Sequence, residues 1–146
     1  MLFPANPAVG DVFTDGRNRR RILSAQHIWI PGGSTYALGL PSTVAYAPTW
    51  TPDGSSTKWF EMTMTGALAI GALTHCKPGD PLLIYLKQDA TGGRVPTFNA
   101  IYKFPGGAPP AWSTVANRQD RVRGFVKSVN NSGVATEITC DATINC

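Results

Sequence analysis

The residues able to carry chemistry are few and scattered. His27 and His75 are the only histidines, Cys76, Cys140 and Cys146 the only thiols, and nine acids serve the whole chain of 146 residues. A nucleophile–base pair would have to draw on His75 and Cys76, but neighbours on an extended chain point to opposite faces. The same adjacency, without any CxxC, argues against a zinc site. His27 sits in Gln26-His27-Ile28-Trp29, an apolar and aromatic context that suits a packed histidine better than a general base. Asp11, Asp15, Asp53, Asp80 and Asp89 fall among turn formers, so turn duty is a better reading than paired glycosidase carboxylates. No GxSxG, HExxH, GxxxxGK[ST] or calcium-loop pattern occurs. Thr91-Gly92-Gly93-Arg94 is glycine-rich enough for a phosphate cradle. Such a cradle feeds a helix N-terminus, whereas both flanks here are strand-like, and the stretch reads as a hairpin turn. The expectation is a protein without enzymatic activity, metal or cofactor.

Function is then sought in surfaces. The formal net charge is +4 and charged residues are 15% of the chain, against a usual share of about 25%. The cations gather in two places. Arg17, Arg19, Arg20 and Arg21 form the first, and Arg118, Arg121 and Arg123, with Lys127, the second. Guanidinium groups pair with phosphates or with carboxylates of a partner. The second group lacks the aromatic interleaving of a single-strand nucleic-acid channel, so protein contact is the expected role and nucleic acid is disfavoured. Trp50 and Trp112 lie in proline-rich loops, where tryptophans serve as interface anchors or carbohydrate platforms. Trp29 and Trp59 read as core residues. Three cysteines make an incomplete disulfide framework; Cys140 and Cys146 could close a short loop in an oxidising medium, and free thiols are the preferred reading.

The elements that must position these residues read as strands. Trp59, Glu61 and Thr63 alternate with Phe60, Met62 and Met64; Leu82, Ile84 and Leu86 alternate with Leu83, Tyr85 and Lys87. Val122, Gly124 and Val126 alternate with Arg121, Arg123 and Lys127, with Phe125 on the cationic face, and Val134, Thr136, Ile138 and Cys140 alternate with Ala135, Glu137 and Thr139. Period two in short runs between Gly, Pro, Asn and Asp clusters predicts an all-β protein, an antiparallel β-sandwich or jelly-roll-like domain with little helix. Residues 58–146 form that domain in this reading. Residues 1–57, with prolines at Pro4, Pro7, Pro31, Pro41, Pro48 and Pro52, form an extended N-terminal arm with short strands at Ile28–Ile30, Tyr36–Leu40 and Val44–Tyr46. The longest apolar run, Ala67–Leu73, is far short of the ~20 residues of a membrane span, and the N-terminus lacks a basic leader region; no membrane partner is expected.

Three segments carry a resemblance. They are Gln88-Asp89-Ala90-Thr91-Gly92-Gly93-Arg94, then Phe98-Asn99-Ala100-Ile101-Tyr102-Lys103-Phe104-Pro105-Gly106-Gly107-Ala108-Pro109-Pro110, then Ser113-Thr114-Val115-Ala116-Asn117-Arg118-Gln119-Asp120. Together they resemble a module of tailed-bacteriophage structural proteins, found in tail fibres, head fibres and capsid decoration proteins. Asn6-Pro7-Ala8-Val9-Gly10-Asp11-Val12-Phe13 resembles the openings of phage tail and fibre proteins. The resemblance covers about residues 58–127. It departs at Arg118, Arg121 and Arg123, where apolar or neutral residues are usual, and at Pro110 and Trp112, where Thr and Leu are usual.

The resemblance implies an antiparallel sandwich, commonly trimeric, without enzyme activity. It implies that Gly92, Gly93, Pro105, Gly106, Gly107 and Pro109 set loop shape, and that Asp120 is the acid opening a returning strand. The function expected first is capsid decoration: a cement protein on the virion's capsid surface, made in the host cytoplasm. Its partners would be the major capsid protein, met through Arg17, Arg19, Arg20 and Arg21, and copies of itself in a homotrimer or dimer. The alternative is a small tail-fibre or receptor-binding protein whose Trp50 and Trp112 meet host surface glycans.

Overall fold

A computed structural model describes residues 39–146 in full and, before them, the backbone of three strands. These are β1 (Val12–Thr14), β2 (Arg20–Leu23) and β3 (Trp29–Pro31). They form an antiparallel meander in which Thr14 faces Arg20 and Leu23 faces Trp29. Of the predicted strand at Ile28–Ile30, Trp29 and Ile30 fall in β3; Ile28 and most of Tyr36–Leu40 lie outside the described residues, as do Arg17, Arg19 and His27. The chain divides into two compact units, Met1–Ala37 and Leu38–Cys146.

The second unit is all-β. Its strands are β4 (Ser42–Val44), β5 (Thr49–Trp50), β6 (Trp59–Met64), β7 (Leu68–Ile70), β8 (Pro81–Gln88), β9 (Pro96–Phe98), β10 (Tyr102–Lys103), β11 (Gln119–Val129) and β12 (Ala135–Thr143). The chain alternates between two sheets. β4, β6 and β8 lie side by side and parallel in a six-stranded sheet of order β10-β12-β11-β8-β6-β4, while β5, β7 and β9 build a parallel three-stranded sheet. Three successive turns of the chain thus each add one strand to both sheets. β11 then runs antiparallel to β8, and β12 antiparallel to β11.

This course differs from the expected antiparallel arrangement, which holds only where β11 joins β8 and β12. Period two reveals which side chains share a face but not the direction of the neighbouring strand. Residues 39–57, read from sequence as arm, contribute β4 and β5 to the two sheets. Their short, proline-broken segments pair with longer partners: Ser42 to Val44 lie along Phe60 to Met62, and Thr49 and Trp50 along Ala69 and Ile70.

One core lies between the sheets. Met64, Leu82, Ile84, Leu86, Val122 and Ile138 from the larger sheet, with Leu68 and Ile70 from the smaller, are almost fully buried. Burying a side chain of this size is worth about 1.5–3 kcal/mol, and the alternation of β6 and β8 delivers one such residue at every second position. Trp50 bridges the layers, its ring edge-on to Phe60 at 5.2 Å. Gly66 turns β6 into β7 directly beneath the Tyr46 hydroxyl, which donates to the Ala67 carbonyl at 2.7 Å. The alternation predicted for Val134–Cys140 slips at its start. Register shifts between Val126 and Val129 reset the phase, so Ala135 is buried and Thr136 exposed, while Ile138 and Cys140 keep their inward positions.

All three cysteines are free thiols. Burial pushes the Cys76 thiol up, and burial together with the nearby Asp141 charge pushes Cys140 up to about 12. Cys146 is exposed. Because the thiolate is the reacting species, iodoacetamide at neutral pH should modify Cys146 alone in the folded protein, and all three sites in denaturant. Mass spectrometry showing a second fast site would contradict this burial.

Candidate binding face

The outward side of the six-stranded sheet displays a ladder of polar and aromatic side chains. Register sets its rows. Thr43 lies beside Glu61, Glu61 beside Tyr85, Tyr85 beside Arg121, and Arg121 beside Thr143. One step along, Thr63, Lys87 and Gln119 make the next row; one step back, Trp59, Leu83, Arg123 and Asp141 make another. Strands about 4.8 Å apart bring residues far apart in sequence into side-by-side contact.

Each row has its own chemistry. The Trp59 and Tyr85 rings sit 6.3 Å apart, tilted by 39°. The Arg121 guanidinium donates to the Thr143 hydroxyl at 2.8 Å, and Arg123 pairs with Asp141 at 2.9 Å. The latter pair is exposed, so it contributes at most about 1 kcal/mol. The Trp59 Nε1 and Arg121 Nε donors are buried without partners among the described residues. Phe125 stands 57% exposed on the same side. Between the first two rows lies a depression of about 100 Å3 lined by Thr43, Glu61, Thr63, Tyr85, Lys87 and Gln119. Neither Glu61 nor Lys87 has an ion-pair partner among the described residues.

One end of this face is closed by the loops that carry the resemblance. Gln88, buried at the end of β8, donates through its amide nitrogen to the Arg94 and Ser113 carbonyls, both at 2.7 Å, and accepts from the Arg94 amide at 2.9 Å. Asp89 accepts from the Thr91 and Gly92 amides and from the Arg94 guanidinium at 3.0 Å; these bonds, that of Arg94 foremost, hold its carboxyl below the usual carboxylate range. Asp120, also buried, accepts from the Ser113 amide at 2.8 Å and the Asn145 amide at 2.9 Å. Gly92 and Gly93 take φ of 72° and 76°, and Gly106 and Gly107 take 76° and 80°, in the left-handed region that glycine enters without cost. Pro105–Gly107 form one 3-10 turn, closed by the Gly107 amide on the Phe104 carbonyl; Pro109 follows, exposed.

The sequence-derived site residues are distributed unevenly. Arg121 and Arg123 lie on the face. Arg118 is exposed in the closing loop, where its carbonyl accepts from the Gln88 amide at 2.7 Å. Arg20 and Arg21 fall on β2, opposite Thr14 and Phe13. Trp50 and Trp112 are half-buried against the core, Trp112 stacked on Phe98 at 5.2 Å and 23°. Trp59, expected in the core, stands on the outward face because Phe60, Met62 and Met64 take the inward positions of β6. Glu61, Tyr85, Lys87 and Gln119 were not singled out in the sequence. Glu61, Tyr85 and Lys87 fell in alternating sets, but only the strand order brings them together with Gln119.

The other reactive residues are placed apart. His75 Nδ1 lies 2.7 Å from the Asp53 carboxylate on an exposed turn, while the neighbouring Cys76 thiol turns inward within 3.5 Å of the Leu73 carbonyl. Among the described residues, no group of three His, Cys, Asp or Glu is arranged to hold a metal ion. No helix there is long and apolar enough to cross a membrane.

Residues 50–118 match the family described as "Putative phage tail fibre C-terminal domain". The match spans the second and third turns of the parallel coil together with the Gln88, Gly92-Gly93 and Pro105–Gly107 loops, just under half of the chain, and supports a likeness to tailed-phage structural modules. No curated protein matches the chain.

Proposed function

We propose that the protein is a tail-fibre component that contacts glycans on the host surface by binding, without catalysis. The observation that carries this reading is the family match over residues 50–118. The outward face, with its aromatic pair and with Glu61 and Lys87 lacking ion-pair partners among the described residues, supports it as a contact surface. The likeness to a tail-fibre family favours this reading over capsid decoration, which rested on an N-terminal arm suited to a shell lattice. Self-association as a trimer belongs to the same proposal.

Gold-labelled antibody against this chain, applied to intact particles, tests the location. Label at the tail is expected; label in a regular array over the head shell would restore the decoration reading. In the same preparation, excess purified chain should slow adsorption of particles to host cells.

A further inference from the structure

The depression between the two polar rows has a composition that selects among ligands. It offers a carboxylate (Glu61), an ammonium (Lys87), a primary amide (Gln119), two hydroxyls (Thr43 and Thr63) and a phenol (Tyr85). Donors and acceptors are interleaved at strand spacing rather than segregated. Such an array is satisfied by a ligand whose neighbouring groups each donate and accept, which is the property of adjacent hydroxyls. The Glu61 and Lys87 charges offset one another, which disfavours a phosphate or a polyanion. At about 100 Å3 the depression has room for the edge of one ring. The Trp59–Tyr85 pair supplies apolar ring surface beside it for the C–H face of a sugar.

We infer that this depression is a saccharide site that takes the hydroxyl edge of one neutral pyranose. Glu61 accepts from two vicinal hydroxyls, as a carboxylate with two oxygens can. Lys87 and Gln119 donate to ring substituents on the opposite side, and Tyr85 packs against the ring. The source of the sugar, a host surface glycan, rests on the fibre reading above; the site itself rests on the sheet register.

Amide NMR of the full chain titrated with the methyl glycosides of glucose, galactose, mannose and N-acetylglucosamine tests this. At least one should shift the amides of Glu61, Tyr85, Lys87 and Gln119 together, saturating with Kd on the order of 1 mM. Glu61→Gln and Lys87→Met should each weaken binding about tenfold, since each removes a charge-assisted hydrogen bond, while keeping the native spectrum. His75→Ala, on the exposed turn apart from this face, should leave Kd unchanged. The inference is overturned if none of the four sugars shifts these amides, if the shifts map elsewhere, or if both pocket variants bind as the parent does. A silent pocket in a chain that labels the tail overturns this site alone; head-shell labelling overturns the fibre reading and leaves a positive titration standing.

Discussion

Gln88→Leu should lower the stability of the domain by roughly 3 kcal/mol or more, because it leaves three backbone groups without their partner at about 1–3 kcal/mol each. The side chain is 1% exposed and ties two loops to the end of β8 at once, through the Arg94 carbonyl and amide and the Ser113 carbonyl. Leucine fits the volume but satisfies none of them, and water has little access to replace the amide. Urea denaturation of parent and variant measures the difference. A loss below about 1 kcal/mol, the net worth of one ordinary hydrogen bond, would mean that the loops keep their shape without Gln88.

The paired glycines give the second large effect and its control. Gly92 and Gly93 have nearly the same left-handed φ, 72° and 76°, so alanine at either position pays a similar backbone cost, about 1–2 kcal/mol. Their surroundings differ. A Cβ on Gly92 would stand 2.5 Å from the Thr114 carbonyl oxygen and 2.8 Å from the Ala116 nitrogen, whereas one on Gly93 meets nothing within 4 Å. Gly92→Ala must therefore push the 113–117 loop away, adding about 1–3 kcal/mol of overpacking. The expectation is a total of about 2–5 kcal/mol for Gly92→Ala and about 1–2 for Gly93→Ala. Equal losses in denaturation would show that only backbone strain operates there, and that the two loops do not touch as described.

These two sites illustrate how much could be read without coordinates. The motif Gln88 to Arg94 announced a shaped turn, and glycine chemistry explains why. The buried amide could not be seen, because nothing in the local sequence tells that Ser113, 25 residues on, supplies its second acceptor. The alternation in β6 and β8 was legible from period two, though not which set of β6 faces inward, since Trp59 was read as core. The strand direction was not, since parallel and antiparallel neighbours impose the same alternation. The face suffered most from this gap. Arg121 and Arg123 were found because charge clusters in sequence, while Glu61, Tyr85 and Lys87 come from separate strands and converge only through register. Trp50 and Trp112, read from their proline-rich loops as contact residues, are half-buried, Trp50 edge-on to Phe60 and Trp112 stacked on Phe98, which their local sequence did not reveal.

The alternating course of the chain also governs how such a surface can diversify. Each turn of the coil carries its own connector, and the connectors differ in length while the paired segments stay in step: Ser42 aligns with Phe60 and Phe60 with Ile84 across unequal spans. Inserting or deleting a whole turn would widen or narrow the display by one column, about 4.8 Å, without disturbing the columns already present. The width of the outer face is thereby set by the number of turns, while the alternate inward positions keep the same packed interior.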